Sequence, residues 1–478
     1  MSANRQFLLI AGLAVAVRLA FVFAAPFGGG DWDIYSTVAE NILRGCGVSL
    51  SPPDGTECAP HFGGNHLPGF PAFAALIWWL SGHSDVAIRI AQTMIYGAAL
   101  FYLMQAVAAW HRNSTAALIV GLVMALSPLQ VAWPRYTQTE TLALATCIWV
   151  FAELLYSFHE QRLRILPLAL ALIAAVWVRV DGVLLTIPVA VAGFLIHRPV
   201  DAIRRGAVLA LVFLLPVIGW TARNIHVGLT SLMPPPMVIP KNAAAPIGYL
   251  AWGSTWVAEE YQRMGWLWPV TRMVYDSISI DSRAYDSAEE KAQVEALLTE
   301  LASHSGEPFP PSIDAAFAEL ARERAAAAPV HTYLVLPLRR ALALWSSPFS
   351  SFGWPNELPS DVSHQQRLEA SRGLGGAISL ALTYPGRAAS KAFTALYRFA
   401  LLAAFVAVVA LSLGDRLKPL RPLVWTVAAW VLARSAFFAA TNNVETRYTV
   451  PLTPAIELVT VLALVLLFWT AGRKAPPQ

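Results

Sequence analysis

Long apolar segments constrain this chain more than any other feature. A helix needs roughly 20 mostly apolar residues to cross about 30 Å of hydrocarbon, and about ten segments meet that requirement. Hydrophobic residues make up 56% of the 478 positions and charged residues 13%, and the mean hydropathy is +0.52, which excludes an ordinary soluble globular chain. We therefore predict an all-α polytopic membrane protein. The predicted spans cover residues 7–25, 85–109, 115–133, 139–158, 165–178, 182–196, 206–222, 396–413, 421–439 and 449–470.

Two further parts of the chain do not read as complete spans. Residues 67–80 are short and interrupted by proline, so they predict a helix lying in the membrane interface. Residues 223–395 hold most of the acidic side chains and contain two helical patterns, one opened by Ser287 and one at 312–328. The predicted organisation is an N-terminal membrane module at 1–222 with its first outer loop at 26–84, an outer region with interfacial helices at 223–395, and C-terminal membrane helices at 396–478.

The outer region also contains a tryptophan-rich stretch, WGSTWVAEEYQRMGWLWP. Tryptophan is enriched at membrane interfaces, and its ring can also stack on the face of a sugar. Both interpretations are open for this stretch.

Lysine and arginine distinguish the two sides of the membrane. With a cytoplasmic N-terminus, most of the basic residues in short loops fall inside, as the positive-inside rule requires. The net charge of +4 is then explained by topology and requires no nucleic-acid partner. The basic residues of the inner loops and the C-terminal tail are Arg112, Arg162, Arg164, Arg198, Arg204, Arg205, Arg416, Lys418, Arg421, Arg473 and Lys474.

In this topology the polar residues near the spans collect at the outer end of the bundle. Each alone could be an ordinary helix-end charge at the interface. Their recurrence in several loops, together with Arg18 and Arg434 inside apolar segments, indicates a hydrated, electropositive cavity with a few carboxylates. The residues at this end are Asp31, Asp33, Arg89, Arg135, Glu140, Arg179, Asp181, Glu445 and Arg447.

Arginines and a carboxylate at a membrane surface suit one kind of chemistry. Guanidinium groups bind phosphate oxygens in a bidentate fork and stay charged. A neighbouring carboxylate can remove the proton from an attacking hydroxyl. Together these groups indicate transfer from a polyprenyl-phosphate donor to an alcohol.

Three motifs carry a family resemblance. Asp31-Trp-Asp33-Ile-Tyr35, followed by His66-Leu-Pro68-Gly69-Phe70-Pro71, resembles the start of a GT-C glycosyltransferase of the protein O-mannosyltransferase-like group. That group includes the lipid A aminoarabinose transferase and the lipopolysaccharide galacturonosyltransferases. Residues 135–140, RYTQTE, are similar to its second-loop motif, and residues 446–448, TRY, are similar to the pattern that opens its final span. The resemblance covers residues 1–225 and the last 80 or so, and it is poor between them.

The resemblance implies a GT-C fold of about 10 to 13 transmembrane helices with outer interfacial helices and a mainly helical outer domain. It implies that Asp31 is the catalytic base and that Asp33 and Glu140 also belong to the catalytic site. The lysine that often precedes the proline pair is absent here, where His66 and Leu67 stand instead, so Arg89 or Arg179 would supply its charge. The implied substrate-binding residues are Tyr35, His66, Arg89, Arg135, Arg179, Asp181, Arg447 and Tyr448.

Two further features of the first outer loop have alternative interpretations. Asp31 and Asp33 could share one divalent cation, or Asp33 could be a first-turn acid that offsets a helix dipole. No cofactor is therefore certain, and a divalent metal ion is left open. Cys46 and Cys58 could form a disulfide in an oxidising outer compartment or remain free thiols, whereas Cys147 lies within a span and reads as a buried apolar residue.

The favoured prediction is an inverting glycosyltransferase in a bacterial inner membrane, with its active site facing outward. Its partners would be a polyprenyl-phosphate-linked sugar, a cell-envelope acceptor (lipid, glycan or protein) and the lipid bilayer. The alternative is a transporter or flippase for a charged lipid or small solute. Transporters place their sites near the bilayer midplane and commonly show repeated halves, whereas here the acids lie at the outer ends and the Asp31 motif has no second copy.

Overall fold

The structure is a computed structural model that describes residues 2–24, 31–52, 55, 58–60, 67–229, 243–346 and 374–472. Within these ranges the regular structure is helical, apart from isolated β-bridge residues, namely the pair Ser49 and Pro60 and the single residue Tyr136. The all-α prediction is confirmed. In chain order the helices are α1 (Ala3–Ala24), α2 (Trp32–Leu43), α3 (Gly69–Ser81), α4 (Asp85–His111), α5 (Ser114–Leu126), α6 (Glu140–Glu160), α7 (Ile165–Val178), α8 (Thr186–Ile196), α9 (Pro199–His226), α10 (Ile247–Gly253), α11 (Glu260–Thr271), α12 (Ala288–Ala302), α13 (Pro311–Ala327), α14 (Leu336–Ser346), α15 (Leu374–Thr383), α16 (Pro385–Leu411), α17 (Arg421–Ala440) and α18 (Thr453–Gly472).

Seven helical segments of the described residues are long and apolar enough to cross a membrane, by length and composition. They contain α1, α4, α6, α9, α16, α17 and α18. Four shorter apolar helical segments accompany them, namely α3, α5, α7 and the segment Val180–Ile196 that ends with α8. The prediction of a polytopic membrane protein is confirmed.

One predicted span is shorter than expected. The fifth helix ends at Leu126, whereas the sequence predicted a span to residue 133. Ser127 is in an extended conformation and precedes Pro128, which has no backbone N–H and disfavours a helical residue before it. Residues 127–139 therefore leave the helix and form a non-helical return with a 3₁₀ turn at Trp133–Arg135.

The bundle has a buried centre and a lipid-facing periphery. The central helices α6 and α18 are buried along most of their length, and α4 packs against α1, α5 and α6. In contrast α1, α9 and α16 expose long rows of apolar side chains, as expected for helices that contact lipid. The helices α1, α7, α9 and α17 end, and α4, α6, α16 and α18 begin, at one end of the bundle, which we call the site end.

The first loop of the site end is closed by side-chain contacts as well as by covalent chemistry. A disulfide joins Cys46 and Cys58, the pair indicated by the sequence. Asn41, at the end of α2, donates from its amide to the backbone carbonyls of Ser49 and Ser51. These bonds fix the loop to α2, the helix whose opposite end begins beside Asp31.

Helix α3 occupies the stretch predicted to lie in the interface. Its first residue, Gly69, packs so closely on α7 that an added Cβ would lie 2.2 Å from the carbonyl oxygen of Trp177. Only glycine allows this approach, because backbone atoms cannot retreat as a flexible side chain can. The contact sets the distance between the first loop and the end of α7.

The outer region has its own hydrophobic core. Trp252, Trp256 and Trp266 are buried there, with Tyr249 stacked on Trp266 at a centroid distance of 5.3 Å. Both interpretations of the tryptophan-rich stretch are therefore wrong for these three residues, which neither face a membrane interface nor present a platform to a sugar. They stabilise the packing of α10 and α11 against α13, where Phe317 lies edge-on to Tyr249.

A buried arginine connects the outer region to the bundle. Arg340, on α14, is 2% exposed and donates to the backbone carbonyls of Ser254, Val257 and Ala439. The first two lie in the outer region and the third lies in the last turn of α17. The guanidinium satisfies carbonyls that a helix end leaves without partners, so the outer region has a fixed position over the site end.

The close contact at Gly69 yields a stability prediction. We expect Gly69→Ala to lower the thermal stability of the detergent-solubilised protein, since overpacking a filled contact costs about 1–3 kcal/mol. Gly206→Ala is the matched control, because nothing lies within 4 Å of a Cβ at this position in α9. The control should unfold at or above the wild-type temperature, and equal stability of the two variants would contradict the packing described for Gly69.

Candidate functional site

Eight charged side chains from six separate parts of the chain meet at the site end. They are connected by ion pairs with N–O distances of 4.0 Å or less, and we call them the ion-pair network. Its members are Asp31, Glu140, Arg179, Asp181, Arg263, Arg434, Glu445 and Arg447.

A sharp turn places two members side by side. Helix α7 ends at Val178, Arg179 is extended, and a 3₁₀ turn begins at Val180. A Cβ on Gly182 would lie 2.5 Å from the carbonyl of Ala175, so the turn requires glycine here. The guanidinium of Arg179 then binds Asp181 through two parallel hydrogen bonds of 3.1 Å. Such a bidentate pair fixes the orientation of both groups.

The inner half of the network is shielded from solvent. Arg434 is 2% exposed and donates to Asp181 Oδ2 at 2.6 Å and to the carbonyl of Tyr448 at 2.8 Å. Arg179 also donates to Glu140 Oε1 at 3.2 Å. Buried charges persist only when partners replace their lost hydration. These contacts therefore hold the ends of α6, α7, α17 and α18 together, which gives them a positioning role.

The outer half of the network is accessible. Asp31 Oδ2 accepts from Arg447 NH1 at 2.8 Å, and the two side chains are 31% and 26% exposed, against 3% for Glu140. Arg447 also binds Glu445 and lies 4.0 Å from Glu140. Asp31 is thus the carboxylate of the network that solvent and a reactant can reach most easily.

Two tyrosines border this pair. Tyr35, one turn into α2, is 1% exposed and meets Phe70 edge-on at a centroid distance of 4.8 Å. Burial, and then the charge of Asp31, raise the pKa of its hydroxyl well above the usual value, so Tyr35 stays protonated. The ring of Tyr448 stacks on Phe438 and lies under the guanidinium of Arg447 at 5.5 Å.

Other residues predicted for the site lie beside the network or elsewhere. Arg89 Nε donates to Thr137 Oγ1 at 2.9 Å, two residues before Thr139, which accepts from Arg179. Arg135 is buried and covers the ring of Tyr136. His66 falls outside the described residues.

Asp33 and Arg18 also differ from the network in their surroundings. Asp33 is exposed in the first turn of α2, and its described hydrogen bonds are those that its backbone carbonyl accepts from Ser36 and Thr37. Arg18 is fully buried, donates to carbonyls of α5 and lies 3.6 Å from the ring centroid of Tyr96. Arg18 therefore links α1 to α4 and α5.

The outer region contributes residues that the sequence did not rank. Arg263, on α11, forms an ion pair with Glu445. Glu260, one turn earlier on the same helix, accepts a hydrogen bond from the backbone N–H of Thr446. The sequence signal for this helix is a capping box between Glu259 and Gln262, which predicts a helix start but does not indicate where its side chains point.

The network is balanced in charge. Its four carboxylates and four guanidiniums sum to zero when all are ionised. These eight residues therefore contribute no excess positive charge, because each arginine contacts a carboxylate. An incoming anion must replace one of these carboxylates or find a further cation.

The described residues do not suit a metal site built on Asp31 and Asp33. Among them, no group of three or more His, Cys, Asp or Glu side chains is arranged to hold a metal ion. The Asp31 carboxylate is bound by the Arg447 guanidinium, and Asp33 is exposed. A hard divalent cation requires six or more oxygen ligands in most protein sites. Asp31 and Asp33 together supply fewer oxygen ligands than that.

Comparisons with known proteins find little sequence similarity to this chain. No protein-family model matches the chain, and no curated protein matches it. Among solved structures, it is similar to the crystal structure of ArnT from Cupriavidus metallidurans bound to undecaprenyl phosphate, with a TM-score of 0.40 and 14% sequence identity. The similarity covers 94% of this chain and 78% of that chain. A likeness of this size carries no weight for function, which depends on the residues of the site.

The buried half of the network yields a second stability prediction. Asp181→Asn leaves Arg434 buried without its carboxylate, and loss of one partner of a buried pair costs about 3–5 kcal/mol. We expect a clear fall in the unfolding temperature of the solubilised protein. The double variant Asp181→Asn with Arg434→Gln should recover part of the loss, because no uncompensated charge remains.

Glu319→Gln serves as the control for this experiment. Glu319 and its partner Arg322 are 52% and 71% exposed, and exposed pairs contribute only about 0–1 kcal/mol. If Asp181→Asn were as stable as this control, the positioning role of Asp181 and Arg434 would be refuted.

Proposed function

We propose that this protein is an inverting glycosyltransferase of the GT-C superfamily. It moves a sugar from a polyprenyl-phosphate donor to a hydroxyl of a cell-envelope acceptor, which is a lipid, glycan or protein. The observation that supports this most is the accessible pair of Asp31 and Arg447, 2.8 Å apart at the end of a membrane bundle. A carboxylate next to a guanidinium suits proton removal beside a bound phosphate, and the motif resemblance implies the same role for Asp31.

The proposed step is a single displacement. The acceptor oxygen attacks the anomeric carbon of the sugar, and Asp31 takes the proton of the acceptor hydroxyl. The bond between the anomeric carbon and the phosphate oxygen breaks, and its electron pair leaves with the polyprenyl phosphate. Because attack and departure occur on opposite faces, the anomeric configuration inverts.

Arg447 is suited to bind the departing phosphate. Its guanidinium is surrounded by Asp31, Glu140 and Glu445, which fix its orientation before a ligand arrives. A phosphate can replace one of these carboxylates through a bidentate contact. Preorganised charge of this kind stabilises a developing anion without further rearrangement. Arg179 contributes indirectly, because it binds Glu140, which lies 4.0 Å from Arg447.

The orientation of the site in the cell is part of the proposal. The end of the bundle opposite the site carries the basic loops, such as Arg162 and Arg164 between α6 and α7. Basic loops favour the cytoplasmic side, so we place the site at the outer face of a bacterial inner membrane. A polyprenyl-phosphate sugar presented in the outer leaflet would then reach Asp31 without crossing the bundle.

The transporter alternative would rest on an ionisable group within the bundle. Glu457, on α18, is such a group and is fully buried. Its carboxylate accepts hydrogen bonds from Ser127 at 2.5 Å, Gln130 at 2.6 Å and Tyr397 at 2.9 Å. These bonds join α18 to α16 and to the start of the 127–139 return, so a positioning role accounts for Glu457.

The role of Asp31 yields the third prediction. Asp31→Asn keeps the size of the side chain and removes the base, and we expect transfer to fall by about 10²–10⁴-fold. The measurement is release of polyprenyl phosphate and labelling of an envelope extract by purified protein supplied with polyprenyl-phosphate sugars. Glu319→Gln is the control, since Glu319 is 52% exposed on α13 and has no part in the ion-pair network. Undiminished transfer by Asp31→Asn, or equal loss in the control, would refute the assignment.

A further inference from the structure

The outer region contributes one guanidinium to the ion-pair network. Arg263, on α11, forms an ion pair with one carboxylate oxygen of Glu445. The other oxygen of Glu445 lies 2.5 Å from Arg447 Nε, in a second ion pair. Arg447 NH1 in turn lies 2.8 Å from Asp31 Oδ2. These four side chains form a chain of ion pairs that runs from the outer region to the proposed base.

The part of α11 that carries Arg263 has a fixed position. Glu259 and Gln262 form a capping box, in which each side chain accepts a hydrogen bond from the backbone N–H of the other residue. A Cβ on Gly265 would lie 2.7 Å from the carbonyl oxygen of Ser279, so the helix packs there against backbone atoms. The guanidinium of Arg263 therefore approaches the network from a rigid part of the outer region.

The three acids around Arg447 differ in how easily a ligand can replace them. Glu140 and Glu445 are 3% and 8% exposed, and each has a second arginine partner. Asp31 is 31% exposed. Displacing an enclosed carboxylate would leave its second arginine without a partner, which is costly. A phosphate that binds Arg447 is therefore expected to replace Asp31.

Arg263 also compensates the charge of Glu445. The eight charges of the network sum to zero only when Arg263 is included. Without it, an enclosed negative charge would remain uncompensated beside Arg447 and would repel an incoming phosphate. Glu260, one turn earlier on α11, adds little charge at pH 7, because burial, and then the charge of Glu445, raise its pKa to about 8.

We propose that Arg263 is a positioning residue of the donor site, which holds and neutralises Glu445. Arg447 then stays available to the phosphate of the polyprenyl donor, and this phosphate replaces Asp31 on the guanidinium. The released Asp31 carboxylate can accept the proton of the acceptor hydroxyl, so donor binding precedes activation of the acceptor. The inference rests on the proposed function and adds the outer region to its donor site.

The first test measures binding of polyprenyl monophosphate to the full chain in phosphatidylcholine nanodiscs at pH 7. Arg263→Gln should weaken binding by roughly tenfold or more, because it leaves the charge of Glu445 uncompensated. Arg263→Lys keeps the charge and should retain most of the affinity. Arg322→Gln is the matched control and should bind like the wild type, since Arg322 also pairs with a glutamate of the outer region but is 71% exposed.

The second test restores the charge balance by another route. Arg263→Gln combined with Glu445→Gln leaves three carboxylates and three guanidiniums in the network, and most of the lost affinity should return. An arginine that contacted the phosphate directly could not be replaced in this way. A double variant that binds as weakly as Arg263→Gln would therefore overturn the positioning role.

The third test addresses the exchange at Arg447 and predicts a change of opposite sign. Asp31→Asn removes the charge that competes with the phosphate, so this variant should bind polyprenyl monophosphate more tightly than the wild type. Binding equal to or weaker than that of the wild type would overturn the exchange, whether or not Arg263→Gln folds. In the transfer assay, Arg263→Gln should raise the KM for the donor with a smaller fall in kcat, because the base is intact.

The outcomes separate this inference from the proposed function. If Arg263→Gln and Asp31→Asn both bind like the wild type while Asp31→Asn loses transfer, the role of Arg263 is wrong and the glycosyltransferase stands. If the wild type binds no polyprenyl monophosphate, both are overturned. If binding changes as expected while Asp31→Asn transfers undiminished, the phosphate site stands and the reaction assigned to Asp31 is refuted.

Discussion

The buried contact between Arg434 and Asp181 is the constraint on which the site depends. Arg434 is almost fully enclosed, and a guanidinium in such a place persists only when its lost hydration is replaced. Asp181 replaces part of it, and the backbone carbonyl of Tyr448 replaces another part. Since these partners lie on different segments, the arginine fixes the turn after α7 and the start of the last span relative to α17. The accessible pair at the front of the site is thereby held in one geometry.

The solvent exposure of each ion pair determines the role it can have in the network. The inner pairs are too enclosed to meet a reactant, so they position the segments that carry the outer pair. Asp31 and Arg447 keep about a quarter or more of their surface exposed, so an incoming molecule can reach them. The outer region contributes at the same place, because Arg263 holds Glu445 and Glu260 contacts Thr446. A region that the sequence separates from the membrane module thus participates directly in the site.

The sequence predicted the spans of the bundle more completely than the side-chain contacts of the site. Apolar segments of sufficient length predicted the spans because a helix in lipid must satisfy its own backbone hydrogen bonds. The early end of α5 shows the limit of counting apolar residues, since Pro128 ended a helix whose composition continued to residue 133. In the same way, composition left an interface belt and a sugar platform open for the tryptophans of the outer region, although Trp252 and Trp266 lie in a core that forms only when α10, α11 and α13 pack together.

By itself, the sequence determined that the chain is a helical membrane protein and that a set of acids and arginines recurs in several loops at one end of the bundle, because hydrocarbon excludes unpaired charge. It also placed Asp31 shortly after the first span and Arg447 shortly before the last span. Tertiary structure alone decided which acid faces which arginine, that the network sums to zero charge, and that Arg263 of the outer region joins it. Ion pairs form between residues hundreds of positions apart, and Coulomb energy depends on distance and burial, which no local pattern of residues records.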